Sequence, residues 1–233
     1  MAKRFWQDVT LDADAAGHFI RLDGRALKTP NKNPVRVPSA AIAAKLKAEW
    51  DAVPPATDGD IDPRLMPVTR LANVASENVE ARRDDLVAEA RAYAGTDLLS
   101  YRTPEPAEYV ARQSAAWGPW LDWARSRGVD LAHTTSLLAV DQPDASLDAV
   151  ADYARALPPF PLTLFTHLVA VFGSAVLAMA VMERAIEPGE AFDLSRMDEL
   201  YREEVWGEDE EASEARRYLR AETVTLGSLV EDL

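Results

Sequence analysis

The 233-residue chain has no cysteine and only three histidines. Without a thiol there is no disulfide, thiolate nucleophile, zinc knuckle or cysteine-held iron–sulfur cluster, and nothing points to an oxidising compartment. His18, His133 and His167 are too scattered for H-E-x-x-H or any comparable ligand spacing, so each reads as a packed or surface residue. The ten glycines form neither G-x-G-x-x-G nor G-x-x-x-x-G-K-[ST], which removes the backbone cradle for a dinucleotide or triphosphate. A G-x-S-x-G elbow is missing too, and Ser174, inside an apolar stretch, reads as helix packing and not as a nucleophile. No cofactor and no metal are expected. Positive charge is scarce: 25 Lys and Arg stand against 39 Asp and Glu, and a net charge of −14 repels a phosphate backbone, which argues against a nucleic-acid partner.

Long apolar runs are equally few. The start, Lys3-Arg4-Phe5-Trp6-Gln7-Asp8, turns acidic before any apolar run develops, so it lacks the h-region of a signal peptide and is too short for a transit peptide. Residues 162–182 alone could reach across a bilayer core of roughly 30 Å. That stretch carries Thr163, Thr166, His167, Gly173 and Ser174 and has no Lys/Arg cluster at either end to set an orientation. It reads as a buried helix at the centre of a bundle, with Gly173, Ser174 and Ala178 allowing a neighbour to approach, and no membrane insertion is expected.

What the chain does hold is ordinary globular material, 48% hydrophobic, enough for one large core or two modest domains. Residues 5–11 and 17–22 read as strands, Asp23-Gly24 as a tight hairpin, 25–29 as its return strand, and 34–38, flanked by prolines, as an edge strand. From Ser39, a suitable N-cap, Ile42, Leu46, Trp50 and Val53 recur at helical spacing. A polar loop follows at 54–60, and Pro63 and Pro67 stand where helices can begin. Helices are predicted near 67–80, 82–94, 105–117, 119–127, 145–156, 160–186, 195–205 and 211–231, with Gly118-Pro119 breaking or kinking the pattern around it. The expected fold is α+β: a small N-terminal antiparallel β unit with one helix over 1–60, then a larger all-helical domain over 61–233.

The unusual feature is acidic. Residues 187–233 hold 15 Asp or Glu against 5 Arg, ten of the chain's fourteen net negative charges. Within them Trp206-Gly207-Glu208-Asp209-Glu210-Glu211 sets an aromatic, a flexible joint and four carboxylates before the last helix. Three readings compete: acidic side chains at a helix N-terminus, a hard-cation site that lacks the oxygen spacing of an EF-hand loop, and a surface that meets Arg or Lys of a partner. A metal-assisted hydrolase would need carboxylates converging from separate helices; Glu199 and Glu203 share a helix face, but that spacing also describes a solvated surface. Trp50, Trp117, Trp120 and Trp123 have core spacing, although tryptophan is also enriched at binding hot spots.

Several separated motifs then appear in order: Arg4-Phe5-Trp6-Gln7-Asp8-Val9, Leu22-Asp23-Gly24-Arg25-Ala26-Leu27-Lys28-Thr29-Pro30 with Asn33-Pro34, Glu49-Trp50-Asp51, Met66-Pro67-Val68-Thr69-Arg70-Leu71-Ala72-Asn73, Thr96-Asp97-Leu98-Leu99-Ser100-Tyr101-Arg102, Gln113 with Trp117-Gly118-Pro119, and the Trp206–Ala212 segment. Together they resemble the assembly chaperone family that handles the α subunit of the soluble F-type ATP synthase head. The resemblance implies a protein without ATPase activity that binds free α subunit, shields the surface destined for the β subunit, and leaves as the α/β ring forms; no enzyme activity is expected, and a monomer is expected because a chaperone must offer an unpaired surface. It also implies that Glu210 is the principal contact, with Asp209, Glu211 and Trp206 beside it, and that Trp50 supports folding. A start at Arg4-Phe5-Trp6 matches a bacterial, cytoplasmic member.

Overall fold

The computed structural model describes residues 3–55, 60–77, 79–136 and 138–233. Its N-terminal part is an antiparallel sheet of β1 (Val9–Asp14), β2 (Gly17–Leu22) and β3 (Arg25–Ala26) in that order. Asp23 and Gly24 take φ values of 46° and 77°, the left-handed pair whose twist suits a two-residue hairpin, and Leu22 faces Arg25 across it. The first strand starts at Val9, later than expected. Residues before it are drawn to the hairpin instead, because the Asp23 carboxylate accepts from the amides of Gln7 (3.0 Å) and Asp8 (2.9 Å). The proposed edge strand over 34–38 is reduced to isolated bridges, His18 with Val37 and Lys28 with Pro34. Two prolines in five residues remove the donors that a ladder needs to extend. Gly17 is required here: at φ +135°, a Cβ would lie 2.8 Å from the Val37 carbonyl oxygen.

Ser39 caps α1 (Ala40–Ala52), its hydroxyl accepting from the Ile42 amide at 3.2 Å, as expected. Of the loop at 54–60, residues 56–59 lie outside the described residues. Pro63 opens a 3-10 turn (Pro63–Leu65), and Pro67 opens α2 (Pro67–Ser76). The residue preceding α2, Met66, offers no capping side chain. Glu49 of α1 does so in its place, accepting from the amides of Val68 (2.7 Å) and Thr69 (2.8 Å) and from the Thr69 hydroxyl (2.7 Å). Trp50 donates to that hydroxyl at 3.0 Å, so the Glu49-Trp50 pair is a structural clasp.

The helical part contains α3 (Arg83–Gly95), α4 (Ala107–Arg125), α5 (Asp144–Ala156), α6 (Pro159–Phe172), α7 (Ala175–Met182), α8 (Pro188–Ser195), α9 (Met197–Trp206) and α10 (Glu210–Gly227), followed by a 3-10 turn (Ser228–Asp232). The α+β class is as expected from sequence. α8 falls in a segment for which no helix is expected from sequence, and two boundaries differ. α4 runs on through Pro119, because Pro119 and Ala115 are both exposed and the carbonyl that proline cannot satisfy lies on the watered side. The stretch expected to be one long helix is two: Gly173 turns at φ +62° and Ser174 caps α7 by accepting from Leu177 at 3.1 Å. Among the described residues no helix is long and apolar enough to cross a membrane.

By backbone proximity the chain forms two compact units. The first comprises Met1–Arg82, Pro158–Thr163 and Ser228–Leu233, and the second Arg83–Leu157 and Leu164–Gly227. In the first, Leu229 and Val230 of the last 3-10 turn are buried, and Lys45 of α1 pairs with Asp232 at 2.6 Å. In the second, α7 is buried along its length and packs on α3, α4 and α8.

Asp97 anchors α7. Its carboxylate, fully buried, accepts from the Leu99 amide (3.0 Å), the Ser174 hydroxyl (2.8 Å) and the Val176 amide (3.1 Å), while Leu98 donates to the Gly173 carbonyl at 2.9 Å. Burial pushes its pKa up to about 6 against the hydrogen bonds that favour the charged form. A raised folded pKa means that this group's stabilising contribution is complete below pH 4 and is lost as pH rises through 6. Comparing wild type with Asp97→Asn by urea denaturation, the gap should shift by about 2 kcal/mol in the variant's favour between pH 4 and pH 7. A pH-independent gap would show that the carboxylate titrates normally.

Candidate functional site

The acidic segment forms a corner between α9 and α10. α9 ends at Trp206, Gly207 makes the turn at φ +97°, and α10 starts at Glu210. Asp209 is the cap of α10, its carboxylate accepting from the amides of Glu211 (3.0 Å) and Ala212 (3.2 Å). Glu203 and Arg216 form a two-pronged pair at 2.6 Å in each arm, locking α9 to α10, and Arg216 holds the Glu203 carboxyl below its ordinary range. Arg112 grips Glu204 from α4 (2.7 and 3.0 Å), and Arg220 grips Asp193 of α8 (2.7 Å twice).

On this scaffold the four residues singled out from sequence separate. Asp209 is occupied as a cap, whereas the exposed carboxylates of Glu210 and Glu211 have no hydrogen-bond or ion-pair partner among the described residues. Glu208 stands 4.0 Å from Arg217, an exposed and weak pair. Trp206 is 77% exposed and Val205 52%, unusual for side chains of that size. Glu203 is committed to Arg216, and Glu199 lies 3.7 Å from Arg196. Among the described residues no three His, Asp or Glu side chains are grouped to hold a metal.

Trp206 and Val205 also wall a groove of about 850 Å³ that the sequence did not disclose. Its other walls come from residues 101–109, from Thr135 and Ser136, and from the earlier turns of α9. Tyr109 and Tyr201 stack with ring centres 3.8 Å apart and planes at 7°. Tyr109 donates to Asp198 at 2.5 Å and Gln113 donates to the same oxygen at 2.7 Å, while the Gln113 carbonyl accepts from the Thr103 amide at 2.9 Å. Burial, and then the Asp198 carboxylate, raises the Tyr109 phenol, which stays a donor. Trp117 donates to the Leu194 carbonyl at 3.1 Å. Gln113 thus holds α9 in place, and Trp117 holds the end of α8. The tyrosines lie far apart in sequence, so only the motifs containing Tyr101, Arg102, Gln113 and Trp117 hinted at the region.

A family model described as the ATP12 chaperone protein matches residues 3–125, more than half of the chain. The chain belongs to the ATP12 chaperone family. This is the ATP synthase assembly chaperone family that its motifs resemble. The crystal structure of Atp12 from Paracoccus denitrificans is 37% identical, with a TM-score of 0.90, over 99% of this chain and 97% of that one. A point mutant of the same Paracoccus protein gives 36% identity and a TM-score of 0.90 with the same coverage. The mitochondrial atp12 protein of Schizosaccharomyces pombe is 23% identical over 225 residues, 91% of this chain and 76% of that protein.

In this ATP12 family member, replacing Gln113 with Leu strands the Thr103 amide and removes one of two donors to Asp198. Thermal and urea denaturation should show a loss of about 1–3 kcal/mol. An unchanged midpoint would show that the Gln113 bonds do not hold α9.

Proposed function

We propose that this chaperone binds the free α subunit of F-type ATP synthase through the α9–α10 corner and carries no catalytic activity. An isolated subunit of an obligate ring exposes a large apolar interface that would otherwise self-associate, and covering it needs shape and charge, not bond chemistry. The observation that carries the reading is the corner itself: an exposed Trp206 beside unpaired Glu210 and Glu211, set on helices pinned by Glu203–Arg216 and Glu204–Arg112. An aromatic anchor next to carboxylates suits a partner surface with an apolar pocket and basic rim. Glu210, without a folding partner, contributes to stability only through the helix dipole, by about 0.3–1 kcal/mol. The hydrolase alternative is disfavoured because Asp198, Glu203 and Glu204 already serve as partners of Gln113, Arg216 and Arg112. We take the protein to act as a monomer in a bacterial cytoplasm, offering one unpaired face.

Co-purification with α subunit, compared with β, tests this. Glu210→Lys should weaken capture of α about tenfold or more and Glu210→Gln far less, with thermal midpoints moving by no more than roughly 4 °C. Equal losses for both variants, accompanied by unfolding, would make Glu210 structural. Release should follow from competition: added β subunit should displace α from the chaperone without nucleotide hydrolysis, and an absolute requirement for hydrolysis would contradict this.

A further inference from the structure

The groove beside Trp206 is furnished for an occupant of defined chemistry. Its volume, about 850 Å³, falls within the range of roughly 300–1,000 Å³ seen for ligand clefts. Carbon dominates the walls, through Pro104, Pro106, Tyr109, Tyr201 and Val205. Set among them is Arg102, half-buried, with one nitrogen donating to the Ser114 hydroxyl at 3.1 Å and its Nε buried without a partner. Burial lowers its pKa, and among the described residues no carboxylate pairs with it. Arg112, Arg216 and Arg220, by contrast, each hold a carboxylate.

The groove's own carboxylates do not fill that role. Asp198 is engaged by Tyr109 and Gln113, and Glu105 is exposed. Arg202, also lining the groove and exposed, donates to the Asp198 backbone carbonyl at 3.2 Å, so its charge too is uncompensated. A guanidinium that gives up water without gaining a carboxylate is costly for folding, and the fork-shaped donor set of arginine matches a carboxylate. The surroundings match apolar and aromatic side chains.

We propose that this groove binds an extended segment of the client protein bearing apolar side chains and a carboxylate, with Arg102 receiving the carboxylate. The inference deepens the function proposed above and rests on it only for the identity of the client. The two sites offer opposite charges to a client, although the groove's lining as a whole is balanced, Arg102 and Arg202 against Asp198 and Glu105. The corner carries carboxylates for a basic rim, whereas the groove takes an acidic segment, and Trp206 borders both.

The test uses the full chain and two labelled synthetic peptides, Leu-Pro-Leu-Glu-Leu-Pro-Leu and its Glu-to-Gln counterpart, both amidated, with binding read by fluorescence anisotropy. The acidic peptide should bind about tenfold or more tightly. That preference should vanish in Arg102→Gln, survive in part in Arg102→Lys, and persist in Ser114→Ala, which removes the internal bond of Arg102 but leaves its charge. Circular dichroism confirms that each variant is folded. Equal binding of the two peptides, binding of neither, or a preference that persists in folded Arg102→Gln would overturn the proposal. Failure to capture α subunit with the carboxylate preference intact would support the groove and refute the client's identity. Intact α capture without that preference would refute the groove alone.

Discussion

The helical unit depends on one carboxylate sealed from water. Asp97 closes a 3-10 turn through the Leu99 amide and, in the same stroke, satisfies the Val176 amide and the Ser174 hydroxyl at the head of α7. Helix starts expose amides that must find acceptors, and α7 lies where water cannot supply them. A buried acceptor therefore sets the depth and direction of the core helix. It also directs the chain beyond the turn: Tyr101 and Arg102 leave it directly, with the Arg102 amide bonded to the Thr134 carbonyl and the Thr134 amide to the Ser100 carbonyl. The cation in the groove is placed by the carboxylate in the core.

A division of labour runs through the motifs that resemble the family. Glu49 and Trp50 fasten α1 to α2, Gln113 and Trp117 fasten α4 to the α8–α9 region, and Asp209 starts α10. These side chains use their hydrogen-bonding capacity inside the protein. Beside them stand side chains with hydrogen-bonding capacity to spare, Glu210 and Glu211 at the corner and Arg102 in the groove, with Trp206 offering apolar surface between. A protein that holds a partner without transforming it needs such groups presented on a stiff frame, since ordering loose side chains on binding subtracts from affinity.

Features set by neighbours in sequence were legible. Asp23-Gly24 can only turn tightly, Ser39 precedes a helical repeat, and Pro63 and Pro67 sit where a missing amide costs nothing. The break between α6 and α7 was not, because Gly173-Ser174 is compatible with either close packing in one helix or a terminus and cap between two, and Asp97 decides it from 77 residues away. Pro119 misled for a related reason, as its cost depends on whether the orphaned carbonyl faces water. The acidic corner was half legible: the sequence located it, but only the structure distinguishes Asp209, engaged as a cap, from Glu210 and Glu211. The groove draws its walls from three distant segments, and no local pattern announces such a place.

The last 3-10 turn has a bearing on how the protein is made. Leu229 and Val230 fill the core of the same unit that begins with the first strand, and Asp232 pairs there with Lys45. A ribosome delivers the β sheet, α1 and α2 early, yet the piece that completes their burial emerges after every helix of the other unit. During synthesis the first unit waits with part of its apolar interior uncovered, a vulnerability common to chains whose last residues close a core that was laid down first.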